Sequence, residues 1–435
     1  MNLKNNTRMN YAILSTYVRE DNDYLDEWVK YHLAIGFEHI VMYDHKSIVP
    51  VRNIWGDKVS VIRVERDSLF HPTYLTQDTL RSHPSCWLAA IDVDEYIVLF
   101  EDKDIKDLLK RYEAHGALGI PWSVYGSSGH LTQPAGGVKD SYVWRRPDEP
   151  MWVKPIINTQ YCLGISDPHF GIYSRPSVNE AFEPFVGPIC DSPRAFIKIN
   201  HYFTKSLEEY KRKIARGTGN VNTPPRPIEW FDFINKNSTV YDDVLKDFGK
   251  PKIWENIFGW FNFHNFYTDM VGYFNDAVFV EIGCWEGRSA VFMADKIIKS
   301  GKNIKFYAID IWADYEQEGV MWKARYEEFL KNIEPVKSHV NPIRCDSVEA
   351  SKQFADKSVD FIFIDANHEY EAVKKDILAW MPKLKDGGII AGHDYNTMGG
   401  VNKAVDELIK DFKLISNYWY YDTKGTLGYR GSRNL

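Results

Sequence analysis

In the second half of the chain, four apolar runs end one after another in an acid. Ile304 to Ile309 stops at Asp310, Pro342 to Cys345 at Asp346, Val359 to Ile364 at Asp365, and Gly388 to Ala391 at His393 and Asp394. Short, continuous apolar runs mark strands buried on both faces. A buried strand interior has no use for a carboxylate, so the acids belong at the strand tips. An open α/β sheet gathers such tips along one edge and binds its ligands there. A fifth run, Ala277 to Ile282, precedes these and enters Glu281-Ile-Gly283-Cys-Trp285-Glu-Gly287, with a helix expected from Ser289 to Ile298. Glycines at such a turn let a ligand approach the backbone, and the helix N-terminus favours a carboxylate. Asp310 is placed to take both hydroxyls of a ribose. A further helix is expected over Tyr370 to Met381.

The first half repeats this logic in one stretch, Cys86 to Phe100, CWLAAIDVDEYIVLF. The apolar run Trp87 to Ile91 stops at Asp92 and Asp94, and a second run, Ile97 to Phe100, follows. Two acids one residue apart can reach one divalent ion, and such an ion can neutralise a diphosphate leaving group. Upstream, strands are expected over Tyr11 to Thr16, His39 to Tyr43 (ending in Asp44) and Val59 to Val64. Leu25, Trp28, Val29, His32 and Leu33 form a helical stripe after a possible cap at Asp21-Asn22-Asp23, and Gly36 closes that helix. A helix is also expected over Thr73 to Ser82, so strands and helices alternate as in an α/β sheet.

With 435 residues the chain is too long for one core and comfortable for two. Between Arg216 and Lys252 the pattern loosens, because Gly217, Gly219, Pro224, Pro225 and Pro227 break any helix. One more helix, Val240 to Phe248, is expected before Pro251, and Trp230, Phe231 and Phe233 point to packing on a domain. We place domains at 1–247 and 248–435. Net charge is −7 with no basic tract, which argues against nucleic acid as a partner. Five scattered cysteines point to reduced thiols. Residues 1–8 are polar and expected to fray, no secretory leader is read at the N-terminus, and no run reaches membrane-spanning length. A cytoplasmic location follows, the chain's own or that of a host.

The first half resembles the family-92-like glycosyltransferases, which have a GT-A fold. The matching stretches are ILSTYVREDNDYLDEWVKYHLAIGFEHIVMYDHKS, DVDEY at 92–96, IPWSVYGSSGHLTQPAGGV at 120–138 and KINHYFTKSLEEYKRKIARG at 198–217. The resemblance covers about residues 9–245. It implies transfer of a sugar from a nucleotide-diphosphate sugar to a glycan or glycoconjugate acceptor, with Mn²⁺ (or Mg²⁺) as the ion. By position, Asp94 would bind the metal, Asp92 the ribose, the metal or both, and His201 would be a third ligand. Thr16, Arg19 and Asp44 would face the nucleotide, and Lys154 the phosphates. The acceptor base is a carboxylate or His near the acceptor hydroxyl; Asp44 is our candidate, with Asp191 and His169 open beside it. The resemblance points to inversion at the transferred carbon.

The second half resembles class I S-adenosylmethionine (SAM)-dependent methyltransferases, and within them the metal-dependent sugar O-methyltransferases, which are themselves similar to cephalosporin hydroxylase-like proteins. EIGCWEGRS, FYAIDIW, DFIFIDANHEYEAVKKDILAW and LKDGGIIAGHDY carry the match, over about 250–435. The resemblance implies that Glu281, Gly283, Gly287 and Ser289 line the methionine end of SAM, that Asp310 holds the ribose, and that Asp346 and Ser347 meet the adenine. Asp365, His393 and Asp394 would bind a divalent ion, Mg²⁺ in the relatives, that holds two sugar hydroxyls and lowers the pKa of one. His368 would be the general base. Where relatives carry two acids in a row this chain has His393-Asp394, which leaves a transition ion open.

The fold expected is therefore α/β in two domains, a GT-A-like nucleotide-sugar-binding domain followed by a Rossmann-like methyltransferase domain. The function expected is a bifunctional glycan-building enzyme. The alternative is an inactive, glycan-binding first domain with a hydroxylase-like or other non-methylating second domain.

Overall fold

The computed structural model describes residues 10–20, 22–65, 72–147, 151–217, 226–246, 248–250, 252–317, 320–322, 325–415 and 417–425. The expectations for residues 1–8, Asp21, Gly219, Pro224, Pro225 and Pro251 lie outside them. The chain divides into two compact units, Met1–Phe248 and Gly249–Leu435.

In the first unit, the strands Val59–Val64, His39–His45, Asn10–Val18 and Ser85–Ala90 lie side by side in that order and all parallel. Met151–Asn158 adds antiparallel to Ser85–Ala90, and Ala117–Val124 adds antiparallel to it in turn. Ile197–His201 pairs with Glu95–Leu99 on one side and Ala117–Val124 on the other. Strand alternation decides what each face buries. Ile40 and Met42 join the core that includes Leu25, Trp28 and Val29 of the helix Leu25–Ala34. Val41 and Tyr43 face the other way, against Leu75 of the helix Pro72–Ser82. His32 is fully buried, and burial holds its pKa down at about 3, so this histidine is part of the core.

The joint departs from the sequence expectation in two ways. A helix, Glu229–Asn237, forms there and buries Phe231 and Ile234. The helix expected over Val240 to Phe248 is replaced by a strand, Val240–Tyr241, paired antiparallel with Trp144–Arg145. Asp242 explains the change. It is buried between Arg145 and Lys198, with oxygen-to-nitrogen distances of 2.7 and 2.5 Å, and that ion pair fixes an extended backbone.

The second unit is built on one seven-stranded sheet. Numbering its strands along the chain, Asp276–Ile282 is first and Tyr418–Asp422 last, and the spatial order is third, second, first, fourth, fifth, seventh, sixth. The first five are parallel, and the last two add as an antiparallel edge. Separate apolar clusters cover the two faces, one including Met293 and Ile297 of the helix Arg288–Ser300, the other Val373, Ile377 and Trp380 of the helix Tyr370–Trp380. The strand order reverses between the first and fourth strands, so the crevice expected of such sheets opens beside Gly283 and Asp365.

Candidate active sites

In the first unit, Ile91 donates its N–H to Ser15 O at 3.1 Å, and the chain then leaves the sheet in a tight turn closed by Glu95 N–H on Asp92 O at 3.0 Å. This turn presents Asp92 and Asp94 at the carboxyl ends of the parallel strands. Asp92 Oδ2 accepts from Lys154 Nζ at 3.3 Å, and the same ammonium is 3.6 Å from Glu95 Oε2. Glu95 is fully buried, which raises its pKa well above the ordinary carboxyl value although Lys154 opposes this. Burial pulls Lys154 down, but the Asp92 and Glu95 charges outweigh it and leave its pKa raised.

Asp94 has a different set of partners. Its Oδ2 accepts from Lys213 Nζ at 2.6 Å, and its Oδ1 is 3.7 Å from His201 Nε2. Burial raises the Asp94 pKa, but Lys213, His201 and Lys205 together hold it below the usual carboxylate range. Burial also pushes His201 down to about 4, so its imidazole is neutral at physiological pH, and its Nδ1 is buried without a hydrogen-bond partner. The Asp94–His201 pair thus offers a carboxylate oxygen and a neutral nitrogen on facing atoms, a donor set that fits a divalent cation. Asp92 turns towards Lys154 instead, so the three expected ligands do not close around one point.

The remaining first-unit expectations divide. Thr16 is buried at the same sheet edge, with a hydroxyl that has no partner. Arg19 follows that strand, and its carbonyl accepts from Arg216 Nη1 at 2.6 Å. Asp44 is 1% exposed and held by the chain itself: Oδ1 accepts from Ser47 N–H at 3.3 Å, while Oδ2 accepts from Val51 N–H at 3.0 Å and Arg63 Nη1 at 2.8 Å. Burial raises its pKa, yet these bonds leave it below the usual value. Such a carboxylate ties down a loop and is buried away from an acceptor hydroxyl. His169 has a different setting. Its Nδ1 lies 2.8 Å from Val153 O, its ring is 5.2 Å from Trp122, and Trp122 is 4.3 Å from His201. Burial, aided by Lys154, lowers its pKa to about 4, which leaves it neutral. Asp191 follows the short strand Ile189–Cys190.

In the second unit, Glu281 closes the first strand, 1% exposed, and its Oε1 accepts from the Ser289 hydroxyl. Burial pushes its pKa up to about 8. Gly283 has φ +90°, and a Cβ there would fall 2.0 Å from Asp365 O, so only glycine fits the switch point. Gly287 has φ +89° and would meet Phe329 at 2.9 Å. Asp310 accepts from three backbone amides, Cys284 and Trp285 at 2.9 Å and Trp312 at 2.8 Å. A fourth amide, Ile311, also bonds this carboxylate, so the main chain fixes it at the strand tip. Asp346 caps the helix Ser347–Ser351 through Val348 and Glu349 N–H, and the Ser347 hydroxyl donates to Asp376 Oδ1. The Ser347 hydroxyl thus gives its proton to a neighbouring helix, and the residue stays half-buried.

Beside Gly283, charged groups converge. His368 Nε2 is 3.4 Å from Asp365 Oδ1 and 3.0 Å from Asp394 Oδ2. His393 Nδ1 is 3.9 Å from Asp365 Oδ1 and 3.2 Å from Asp394 Oδ2. One ligand atom from each of Asp365, His368 and Asp394 lies within 4.8 Å of the others. Burial lowers the pKa of His368, but the two carboxylates override it and raise it to about 10. An imidazolium thus supplies the positive charge this cluster attracts.

Strand-tip acids therefore have two uses. Asp44, Asp310 and Asp346 turn back on backbone amides, whereas Asp92, Asp94, Asp365 and Asp394 face Lys or His side chains. Three residues at these sites escaped the sequence reading: Glu95, Lys213 and Asn262, whose Oδ1 is 2.9 Å from His393 Nε2. Glu95 sits inside the DVDEY motif and was legible there. The other two reach their sites across 119 and 131 residues, with no local signal.

The family model described as "Methyltransferase domain" matches residues 280–395. The N-terminal half has glycosyltransferase family 92 relatives. One, from Oryza sativa subsp. japonica, is 24% identical over 260 residues, covering 54% of this chain and 43% of its own length. Another, from Ricinus communis, is 26% identical over 220 residues, covering 47% of this chain and 37% of its own. The chain thus spans less than half the length of these relatives. Among solved structures, the O-methyltransferase NovP is 16% identical with a TM-score of 0.31, covering 37% of this chain and 77% of NovP.

Proposed function

We propose that the chain is a two-site transferase: the first unit transfers a sugar from a nucleotide-diphosphate sugar to a glycan acceptor, and the second O-methylates a sugar hydroxyl with SAM. The convergence of Asp365, His368, His393 and Asp394 beside the Gly283 turn carries the second part. A methyl donor at the glycine turn would place its sulfonium beside this cluster. Glu281 would meet the methionine ammonium, Ser289 would orient Glu281, and Asp310, held at its strand tip by backbone amides, would face the ribose. Asp365, His393 and Asp394 would hold a divalent cation, which supplies acidification of a bound sugar hydroxyl. A cation on Asp365 and Asp394 would cancel the charges that hold His368 protonated, and the neutral imidazole would then take the hydroxyl proton as the methyl group transfers.

In the first unit, Asp94 and His201 would hold Mn²⁺ or Mg²⁺, whose chemistry is to neutralise the departing diphosphate. Lys154 and Lys213 add fixed positive charge at the same edge and would receive the phosphates. Thr16, Arg19 and Asp92 would face the nucleoside, and His169 would serve as the acceptor base. Asp44 would hold the loop that borders the site.

Two assays test this reading. Radiolabelled SAM with a panel of saccharides is expected to give a methylated sugar, lost in Asp365→Ala. Nucleotide sugars with Mn²⁺ and no acceptor are expected to be hydrolysed slowly, and Asp94→Asn is expected to abolish it. No labelled saccharide from any acceptor would sink the methyl-transfer reading and favour a non-methylating second unit. Metal-independent, Asp94-independent behaviour would sink the first-unit assignment.

A further inference from the structure

The cation cluster of the second unit contains a feature that bears on which ion it takes. His393 is buried, 7% exposed, and its two ring nitrogens have distinct surroundings. Nε2 lies 2.9 Å from Asn262 Oδ1. The Asn262 amide is itself oriented, because its Nδ2 donates to Asn417 Oδ1 at 3.3 Å. Since Asn262 presents an oxygen, Nε2 carries a hydrogen towards it, and Nδ1 is the nitrogen that faces Asp394 Oδ2 and Asp365 Oδ1, where exchange of its proton for a cation would leave it a ligand. Metal-ligating histidines are oriented in this manner, with the outer N–H given to an acceptor that fixes tautomer and ring plane. The Phe263 ring, 5.2 Å away, borders the imidazole. Asp394 takes a left-handed φ of +60°, strained for an aspartate. A second imidazole, His368, faces the same two oxygens.

Magnesium takes an octahedral shell of oxygens and keeps several waters, whereas imidazole nitrogen suits first-row transition ions. We propose that the Asp365–His393–Asp394 site is built for a first-row transition cation, with His393 Nδ1 as a ligand and Asn262 as the residue that orients it, rather than for magnesium. The proposal rests on the reading of this cluster as a cation site in a methyltransferase unit, and it adds the class of ion and the role of Asn262.

The test uses the full chain carrying Asp94→Asn, so that the first unit contributes no binding. Co²⁺ and Mg²⁺ are titrated calorimetrically into chelator-treated protein, and the Co²⁺ form is read by visible absorption and by its hyperfine-shifted, exchangeable imidazole N–H resonance in NMR. Co²⁺ is expected to bind much more tightly than Mg²⁺ and to show one such resonance from His393. His393→Asp is expected to remove that resonance and most of the preference. Asn262→Ala is expected to weaken Co²⁺ binding by about 10- to 100-fold, with little change for Mg²⁺. Mg²⁺ binding as tight as Co²⁺, or a preference unchanged in both variants, would overturn the proposal while leaving the cation site standing. Absence of binding by either ion would overturn the cation site as well. SAM binding, followed separately by thermal shift, would still report on the methyltransferase reading.

Discussion

Glu281 is the residue whose protonation should be easiest to observe. Burial pushes its pKa from 4.5 to about 8, so the folded chain holds a proton that the unfolded chain has lost across that window. The resulting stabilisation is fully present below pH 4.5 and disappears as pH rises through about 8. A methionine ammonium placed against Glu281 favours the ionised form. SAM binding near neutral pH is therefore expected to release a proton, detectable as a binding enthalpy that varies with the ionisation enthalpy of the buffer, and Glu281→Gln should remove that dependence. Lys213 makes a second prediction. It is the nearest partner of the buried Asp94, and Lys213→Ala leaves that charge only the more distant His201 and Lys205, at a cost of up to about 3–5 kcal/mol. Added Mn²⁺ should recover more thermal stability in the variant than in the parent protein. If Mn²⁺ raises both melting temperatures equally, Asp94 is not where the ion binds. Neither Lys213 nor Asn262 was legible in the sequence, because each acts across more than a hundred residues, whereas the residues they serve, Asp94 and His393, were. The sequence also placed acids at strand tips without revealing which would turn back on amides, since an aspartate that caps a turn and one that meets a ligand follow the same apolar run. Asp44 is a case of the first kind, with Arg63 and the amides of Ser47 and Val51 on its carboxylate.

At the scale of elements, apolar runs that stop at one point were the readable signal, and the parallel strands of both units followed them closely. Val240 to Phe248 failed because a helical spacing there lost to the buried Arg145–Asp242–Lys198 group, a tertiary contact with no periodicity of its own. The helix Leu207–Arg216 shows the opposite, a locally written start: Ser206 and Glu209 form a capping box, and the helix so fixed delivers Lys213 to Asp94. The turn after Asp276–Ile282 is the most constrained joint of the second unit. A side chain at Gly283 meets the carbonyl of Asp365 and also carries a left-handed backbone. Gly283→Ala should cost about 1–3 kcal/mol from the backbone alone, with more from the clash. It should separate the first and fourth strand tips and abolish SAM binding, while the corresponding change at exposed Gly301, where a Cβ meets nothing within 4 Å, leaves SAM binding intact. Equal SAM affinity in Gly283→Ala and the parent protein would remove the glycine turn from the proposed site.

For the whole molecule, each unit has its own apolar clusters. One centres on Trp28 and Trp87 in Met1–Phe248; the others lie on the two faces of the second sheet in Gly249–Leu435. Units with separate cores unfold as separate cooperative transitions, and a ligand that binds one folded unit raises only that unit's transition. Among the described residues no helix is long and apolar enough to cross a membrane. Calorimetry on the full chain is expected to resolve two transitions. SAM should move one of them, and a nucleotide diphosphate with Mn²⁺ the other. Glu281→Gln should change the first shift and leave the second alone, and Asp94→Asn should do the reverse. Each shift then assigns one cofactor to one set of strand tips without reference to the acceptor. Movement of both transitions by SAM alone, or of neither by the nucleotide with Mn²⁺, would break the division of chemistry between the two units on which the two-site reading depends.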